Sequence, residues 1–257
     1  MIGITTAHWA ELTAVGRLLQ EPRRRPGCVE GFLQGVPVVV MIIGQGPARA
    51  ARRWQAIRRT APSCDAWLFA GFAGGTAPGF QVGDCVIPDR VLDCIEQPDP
   101  LSARGFVPSI PTYVVRRIVS GATRPGSPAR GGVLGTFSRV VPSVWEKTRL
   151  GQIGGLVAVD MESAALAEAA DRAKVPWLVA RTILDPMEHP LLVHSVWHAT
   201  GLGLSVVGWG RLRAFATELR QAQHQLGGHV QNVVIGMHRI MTGKVRNDGT
   251  RTAVSVG

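Results

Sequence analysis

Val159-Asp160-Met161-Glu162-Ser163-Ala164-Ala165 is followed by Trp177-Leu178-Val179-Ala180-Arg181-Thr182-Ile183-Leu184-Asp185. The first stretch opens an alanine-rich helix with an acidic-Met-Glu triplet. The second is a largely apolar run that ends in an aspartate. A parallel α/β sheet brings the residues that follow its strands to one rim, so this pair puts two carboxylates at the edge of one pocket. There, one carboxylate can bind a polyol and the other can hand over a proton.

Around this pair, strands and helices alternate. Ile2-Gly3-Ile4-Thr5 reads as a buried first strand, leading into a helix from Trp9 to Leu19. Two strands, Gly27 to Phe32 and Val38 to Ile43, join around Gly35; the second is uniformly apolar, as a central parallel strand should be. It ends in Gly44-Gln45-Gly46, and a helix from Pro47 to Thr60 follows with proline suitably at its start. The next buried strand, Ala66 to Ala70, ends in Gly71-Phe72-Ala73-Gly74-Gly75. Beyond a short strand in Gly83 to Pro88, the reading gives a loop over 97–111, a helix from Thr112 to Ser120 and a loop over 121–131. Strands at Val133 to Thr136 and Leu156 to Val159, a helix from Met161 to Ala173 and the strand Trp177 to Leu184 follow. A loop from Pro186 to Leu192 precedes a long helix at about 195–225. The alternation predicts a three-layer α/β/α sandwich with a mostly parallel (mixed) central sheet. One domain is expected over 1–226. Residues 227–257 have poor hydrophobic periodicity and predict a basic, loosely ordered tail, with room for a short strand near Val230 to Ile235.

Bulk composition sets outer bounds. A chain of 257 residues, 46% hydrophobic, supports one well-buried domain and is short for two. The net charge of +10 sits in arginine clusters such as Arg23-Arg24-Arg25, Arg52-Arg53, Arg58-Arg59 and Arg116-Arg117. No aromatic-interleaved stripe or nucleic-acid-binding motif accompanies them, so no nucleic-acid partner is expected. The cysteines form no CxxC pair and read as reduced thiols. With no signal peptide and no apolar run of about 20 residues, a cytoplasmic protein without a transmembrane segment is expected. His194 and His198 have helical metal-ligand spacing but no evident third ligand, so no metal is predicted.

Five segments carry a resemblance: Ile2 to Glu11, Gly44-Gln45-Gly46, Gly71 to Gly75 with Gly83-Asp84, Val159 to Ala165, and Arg181 to Asp185. Together the chain resembles the purine nucleoside phosphorylase and uridine phosphorylase superfamily. It is most similar to the branch of methylthioadenosine/S-adenosylhomocysteine nucleosidases and hopanoid-associated nucleoside phosphorylases. The resemblance implies cleavage of the bond between a purine and ribose. Adenine leaves poorly as an anion, so an acid must protonate the ring, and the charge developing at C1′ needs anionic neighbours and a nucleophile. Position by position, Asp185 resembles the acid facing purine N7, and Glu11 the glutamate that activates water. Glu162 resembles the acceptor of the ribose hydroxyls, and Met161 the methionine under the sugar. Gly71, Phe72, Ala73, Gly74 and Gly46 are expected to form a pocket or anion loop. Asp160 is read as a helix cap.

Two departures bear on the reaction. Leu184 stands where the nucleosidases carry a serine before the acid, which removes a hydroxyl that could orient the carboxylate. Phe72 and Phe69 stand where the phosphorylases carry a phosphate-binding serine and arginine. With Glu11 present, hydrolysis of an adenosine-like, 5′-modified nucleoside is expected. Phosphorolysis is kept as an alternative, with phosphate as co-substrate and Arg49 or Arg52 as the anion site. A non-catalytic nucleoside sensor is a third. Phe72, Phe137, Trp9 and Trp197 are candidates to line an apolar pocket, which would suit a hopanoid tail and peripheral contact with lipid. The resemblance implies no cofactor and a homo-oligomer, expected to be a dimer.

Overall fold

The computed structural model describes residues 1–60, 63–96, 99–122, 129–188 and 206–243. The sheet is built around β1 (Ile2–Thr6), which is buried along its whole length. It pairs in parallel with β4 (Val36–Ile42) on one side and β5 (Ala66–Gly75) on the other. β11 (Trp177–Asp185) then pairs in parallel with β5. These four strands are covered on both faces, which is why their sequences are near-continuous apolar runs.

One edge is a meander of β2 (Gln20–Arg25), β3 (Cys28–Leu33) and β4. The β3–β4 turn places Gln34 at φ 49 and Gly35 at φ 77, the left-handed pair that a tight hairpin requires. β2 is exposed throughout, and its three consecutive arginines guard the sheet edge against further pairing. On the other side, the last two residues of β5 pair antiparallel with β10 (Leu156–Asp160). From there the sheet continues through β9 (Val133–Thr136), β7 (Arg90–Asp93) and β8 (Arg104–Phe106). The pairing of β6 (Cys85–Val86) with β11 completes a mixed sheet of 11 strands among the described residues.

Helices cover both faces. Against one, α1 (Trp9–Gly16), α3 (Thr112–Ala122) and α6 (Val206–Met241) bury Val15, Val115, Val119, Val230, Val233 and Met237 on Ile4, Leu68 and Leu178. Against the other, α2 (Pro47–Thr60) and α5 (Ser163–Arg172) bury Trp54, Leu166 and Ala170 on Trp67, Phe69 and Val179. A smaller cluster under α4 (Val144–Gly154) joins Leu150, Phe137, Val141 and Val159. The expected sandwich is present. Among the described residues, no helix is long and apolar enough to cross a membrane.

Three readings need correction. The tail expected to be loose from 227 is helical to Met241, and Val230 to Ile235 is helix rather than strand. Leu226, Val230, Val233, Val234 and Met237 recur at helical spacing and are buried against the sheet. Gly227, which looks like a break, sits where a Cβ would lie 2.8 Å or less from a backbone atom: it would meet the Ala14 carbonyl at 2.7 Å. It allows α6 to approach α1 closely. The second correction concerns the loop expected over 97–111, which contains β8. The third concerns Gly71 to Gly75, which form no loop: they are the last five residues of β5.

Candidate active site

Glu11, Glu162 and Asp185 line one cavity of about 440 Å³, together with Met161, Phe72, Ala73, Gly74 and Leu184. Each arrives from the end of a different strand, the placement expected of a ligand crevice in such a sheet.

Glu11 lies one turn into α1. Its Oε2 accepts from the N–H groups of Ala7 (2.7 Å) and His8 (3.0 Å), closing a capping box with His8. Its Oε1 reaches across to β5 and accepts from Phe72 N–H at 2.8 Å. The carboxylate thus caps its own helix and also ties α1 to the rim of the sheet. Burial lifts its pKa above the usual carboxylate range, against the opposing pull of the Arg181 guanidinium and these three N–H donors.

Glu162 is the residue before the first turn of α5, but its side chain caps nothing on that helix. Its Oε1 accepts from Gly46 N–H at 2.9 Å. Gly46 immediately precedes α2, and its carbonyl accepts the helix's first hydrogen bond, from Ala50 N–H. The positive end of α2 is therefore directed at Glu162. Burial raises Glu162 to about 7, with Arg181 and Gly46 opposing and Asp160 and Glu11 reinforcing the rise.

Asp160 does more than cap. It accepts from Thr136 Oγ1 (2.7 Å) and Ser163 N–H (3.2 Å to Oδ2), and it pairs with Arg181 Nη2 at 2.6 Å. Arg181 also donates through Nε (3.2 Å) and Nη2 (2.8 Å) to Ser163 Oγ. It is 2% exposed, and Gly71 leaves room for it: a side chain there would overlap the guanidinium and Glu11 Oε1. Burial works against its charge, but Asp160, Glu162 and Glu11 outweigh burial and raise its pKa.

Asp185 has a separate partner. Lys147 of α4, with no exposed surface, places Nζ 2.5 Å from Asp185 Oδ2. Burial pushes Asp185 up to about 6, although Lys147 pulls it down. At neutral pH this carboxyl keeps a protonated fraction that an ordinary aspartate would lack.

The structure brings together Glu11, Glu162, Met161, Asp185, Phe72, Ala73 and Gly74. Gly71 and Gly46 stand behind that lining, one beside Arg181 and the other donating to Glu162. Phe137 is not a pocket residue but lies in the core with Val141, and Trp9 is 69% exposed, outside the lining. Trp197, His194 and His198 lie outside the described residues. Arg49 and Arg52 are exposed and do not line the pocket.

Sequence reading missed Arg181 as a functional residue, and with it Lys147. Arg181 has a signal: a charge inside an otherwise buried strand needs a buried partner. Lys147 depends on α4, which went unread. Ser143 caps that helix by accepting from Glu146 N–H, and Gly155 ends it at φ 61, so the Ser143-x-x-Glu146 pattern and the closing glycine mark its ends.

Comparison with known proteins shows the family and the fold. Residues 2–198 match the family described as the phosphorylase superfamily. A 5′-methylthioadenosine/S-adenosylhomocysteine nucleosidase of Anoxybacillus flavithermus is 31% identical over 166 residues, covering 60% of this chain and 70% of the relative. An AMP nucleosidase of Escherichia coli is 30% identical over 201 residues, 73% of this chain but 40% of that protein. Among solved structures, the Neisseria meningitidis 5′-methylthioadenosine/S-adenosylhomocysteine nucleosidase in complex with methylthio-immucillin-A superposes with a TM-score of 0.69. It covers 91% of this chain and 97% of that one at 19% identity, a likeness of fold. The chain belongs to the phosphorylase superfamily and is an enzyme of its nucleosidase and nucleoside phosphorylase group.

Proposed function

We propose that this superfamily member hydrolyses the N-glycosidic bond of an adenosine-like nucleoside and releases adenine. The observation that carries the proposal is the division of labour among three carboxylates around one cavity: two held by backbone N–H groups near Arg181, and one held by Lys147. In this reading Asp185 gives its proton to purine N7 as the C1′–N9 bond breaks, so the base departs neutral. Glu162 accepts hydrogen bonds from the ribose hydroxyls. Glu11 takes a proton from a water whose oxygen bonds to C1′.

Water is favoured over phosphate by where the anion-binding groups already point. The N-terminus of α2 is directed at Glu162, and Phe72 N–H is given to Glu11. Phosphorolysis is the second reading, favoured by Arg139, a cation in the pocket lining. Its guanidinium is paired with Glu146 through both Nη atoms, which weakens that case. Phe215 and Leu219 of α6 also line the cavity. They support an apolar 5′ group over a charged one, from a small thioether to a hopanoid tail.

The test is base release from a panel of 5′-modified purine nucleosides in phosphate-free and phosphate buffers. Equal release in both is expected, strongest for apolar 5′ groups. Release that rises from near zero with phosphate identifies a phosphorylase, and tight binding without release identifies a sensor.

A further inference from the structure

Lys147 is an unusual residue to find without exposed surface, since lysine is strongly hydrated and rarely fully buried unless paired. It projects from the first turns of α4, a helix otherwise on the periphery of the fold. Its Nζ donates to Asp185 Oδ2 at 2.5 Å, to the Asp185 carbonyl at 3.2 Å and to the Pro186 carbonyl at 3.2 Å. An ammonium group has three donors, and among the described residues these three acceptors all belong to Asp185 and Pro186. Two are main-chain atoms at the end of β11, so one lysine holds both the side chain and the backbone of the proposed acid. The residue before the acid, Leu184, has no hydroxyl to share that task.

We propose that Lys147 is a positioning residue for Asp185: its ammonium group aims the carboxyl into the pocket and stabilises the carboxylate left behind when the proton moves to the base. This inference rests on the nucleosidase reading above. The electrostatics of the same contact point the same way. Charged groups acting on Asp185 include Lys147 from α4 and Glu218 from α6. Glu218 disfavours the anion, and burial does so more strongly. A carboxyl in such a place without a cation would keep its proton too tightly to give it to a purine nitrogen. Lys147 makes it a stronger acid while burial keeps it protonated enough to start the cycle. The proton travels from Asp185 to N7, and Lys147 keeps its own.

The experiment compares wild type, Lys147→Met and Lys147→Arg by kcat/KM across pH. Two substrates are used: a purine nucleoside that the wild type cleaves and its N7-methylated counterpart. The methylated base already carries the positive charge that protonation supplies, so its departure does not need Asp185. Lys147→Met is expected to lose at least ~10-fold on the ordinary nucleoside, and under ~3-fold on the methylated one. Its alkaline limb on the ordinary nucleoside should move up by about one pH unit or more, because the unpaired Asp185 holds its proton more firmly. Lys147→Arg keeps the cation and should keep the limb within about half a unit.

Equal losses on both substrates, or an unmoved limb in Lys147→Met, would overturn the proposal and leave Lys147 a structural role. If Lys147→Met does not fold, Lys147→Gln, which keeps a donor but not the charge, decides: a limb raised by about a unit supports the proposal, and an unmoved limb overturns it. Wild type that cleaves neither substrate removes the nucleosidase reading itself, an outcome distinct from an active enzyme whose variants behave alike.

Discussion

Arg181 and Lys147 are both buried cations next to one pocket, yet they are built into it differently. Arg181 sits inside a central strand and contacts Asp160 and Ser163, with Glu11 and Glu162 close enough to raise its pKa. The two pocket carboxylates near it are also fastened by backbone N–H groups. Lys147 comes from a peripheral helix and, among the described residues, pairs with the carboxylate of Asp185. In the proposed reaction the first arrangement suits two carboxylates that start ionised, one to hold the sugar and one to take a proton from water. The second suits an acid that starts protonated and gives its proton to the base. Arginine's planar fork and lysine's point charge fit these two tasks.

The largest expected effect of breaking this contrast falls on the shared centre. Arg181→Met leaves Asp160 buried without its partner, with Glu11 and Glu162 beside it. It should destabilise the fold by about 3–5 kcal/mol, the usual cost of removing one member of a buried pair, read by chemical denaturation. A loss below about 1 kcal/mol would show that the acids do not depend on the guanidinium. Next is Asp185→Asn, expected to cut base release at least ~100-fold while the protein stays folded. Retained activity would remove Asp185 from its role.

Glu162→Gln comes third, at roughly 10- to 100-fold in kcat/KM, the scale of a hydrogen bond to a charged group. A 2′-deoxy substrate should suffer comparably with the wild type and show little further loss with the variant. Equal rates for ribo- and deoxyribonucleosides count against this assignment. The mildest test varies only the proton concentration. Falling pH protonates Glu162, raised to about 7, and Glu11, also raised, whereas rising pH strips Asp185, raised to about 6. The profile of kcat/KM should therefore be bell-shaped with its top between about 6 and 7. A rate that keeps climbing to alkaline pH would contradict the acid role.

The two halves of the site also differed in how far the chain disclosed them. The strands that deliver Glu162 and Asp185 are long apolar runs ending in acids, and that pattern was enough to place both on one rim. Glu11 was legible as a helix-start glutamate, but its contact with Phe72 depends on two strands meeting in space. Arg181 was hidden by the very run that made β11 recognisable. Lys147 is hidden because α4 buries only Lys147 and Leu150, so its apolar residues trace no helical stripe. The end of α6 is obscured for a local reason: Gly227-Gly228 looks like a stop, and the nearby carbonyl of Ala14 accounts for glycine at 227. For Glu11, Arg181 and Gly227, what the sequence conceals is a partner distant along the chain.

The most direct test of the central claim is product analysis of one cleavage reaction run with excess inorganic phosphate, followed by phosphorus NMR. Free reducing sugar with adenine, and no sugar 1-phosphate signal, is the predicted result. Accumulation of sugar 1-phosphate in step with adenine would contradict hydrolysis by a Glu11-activated water.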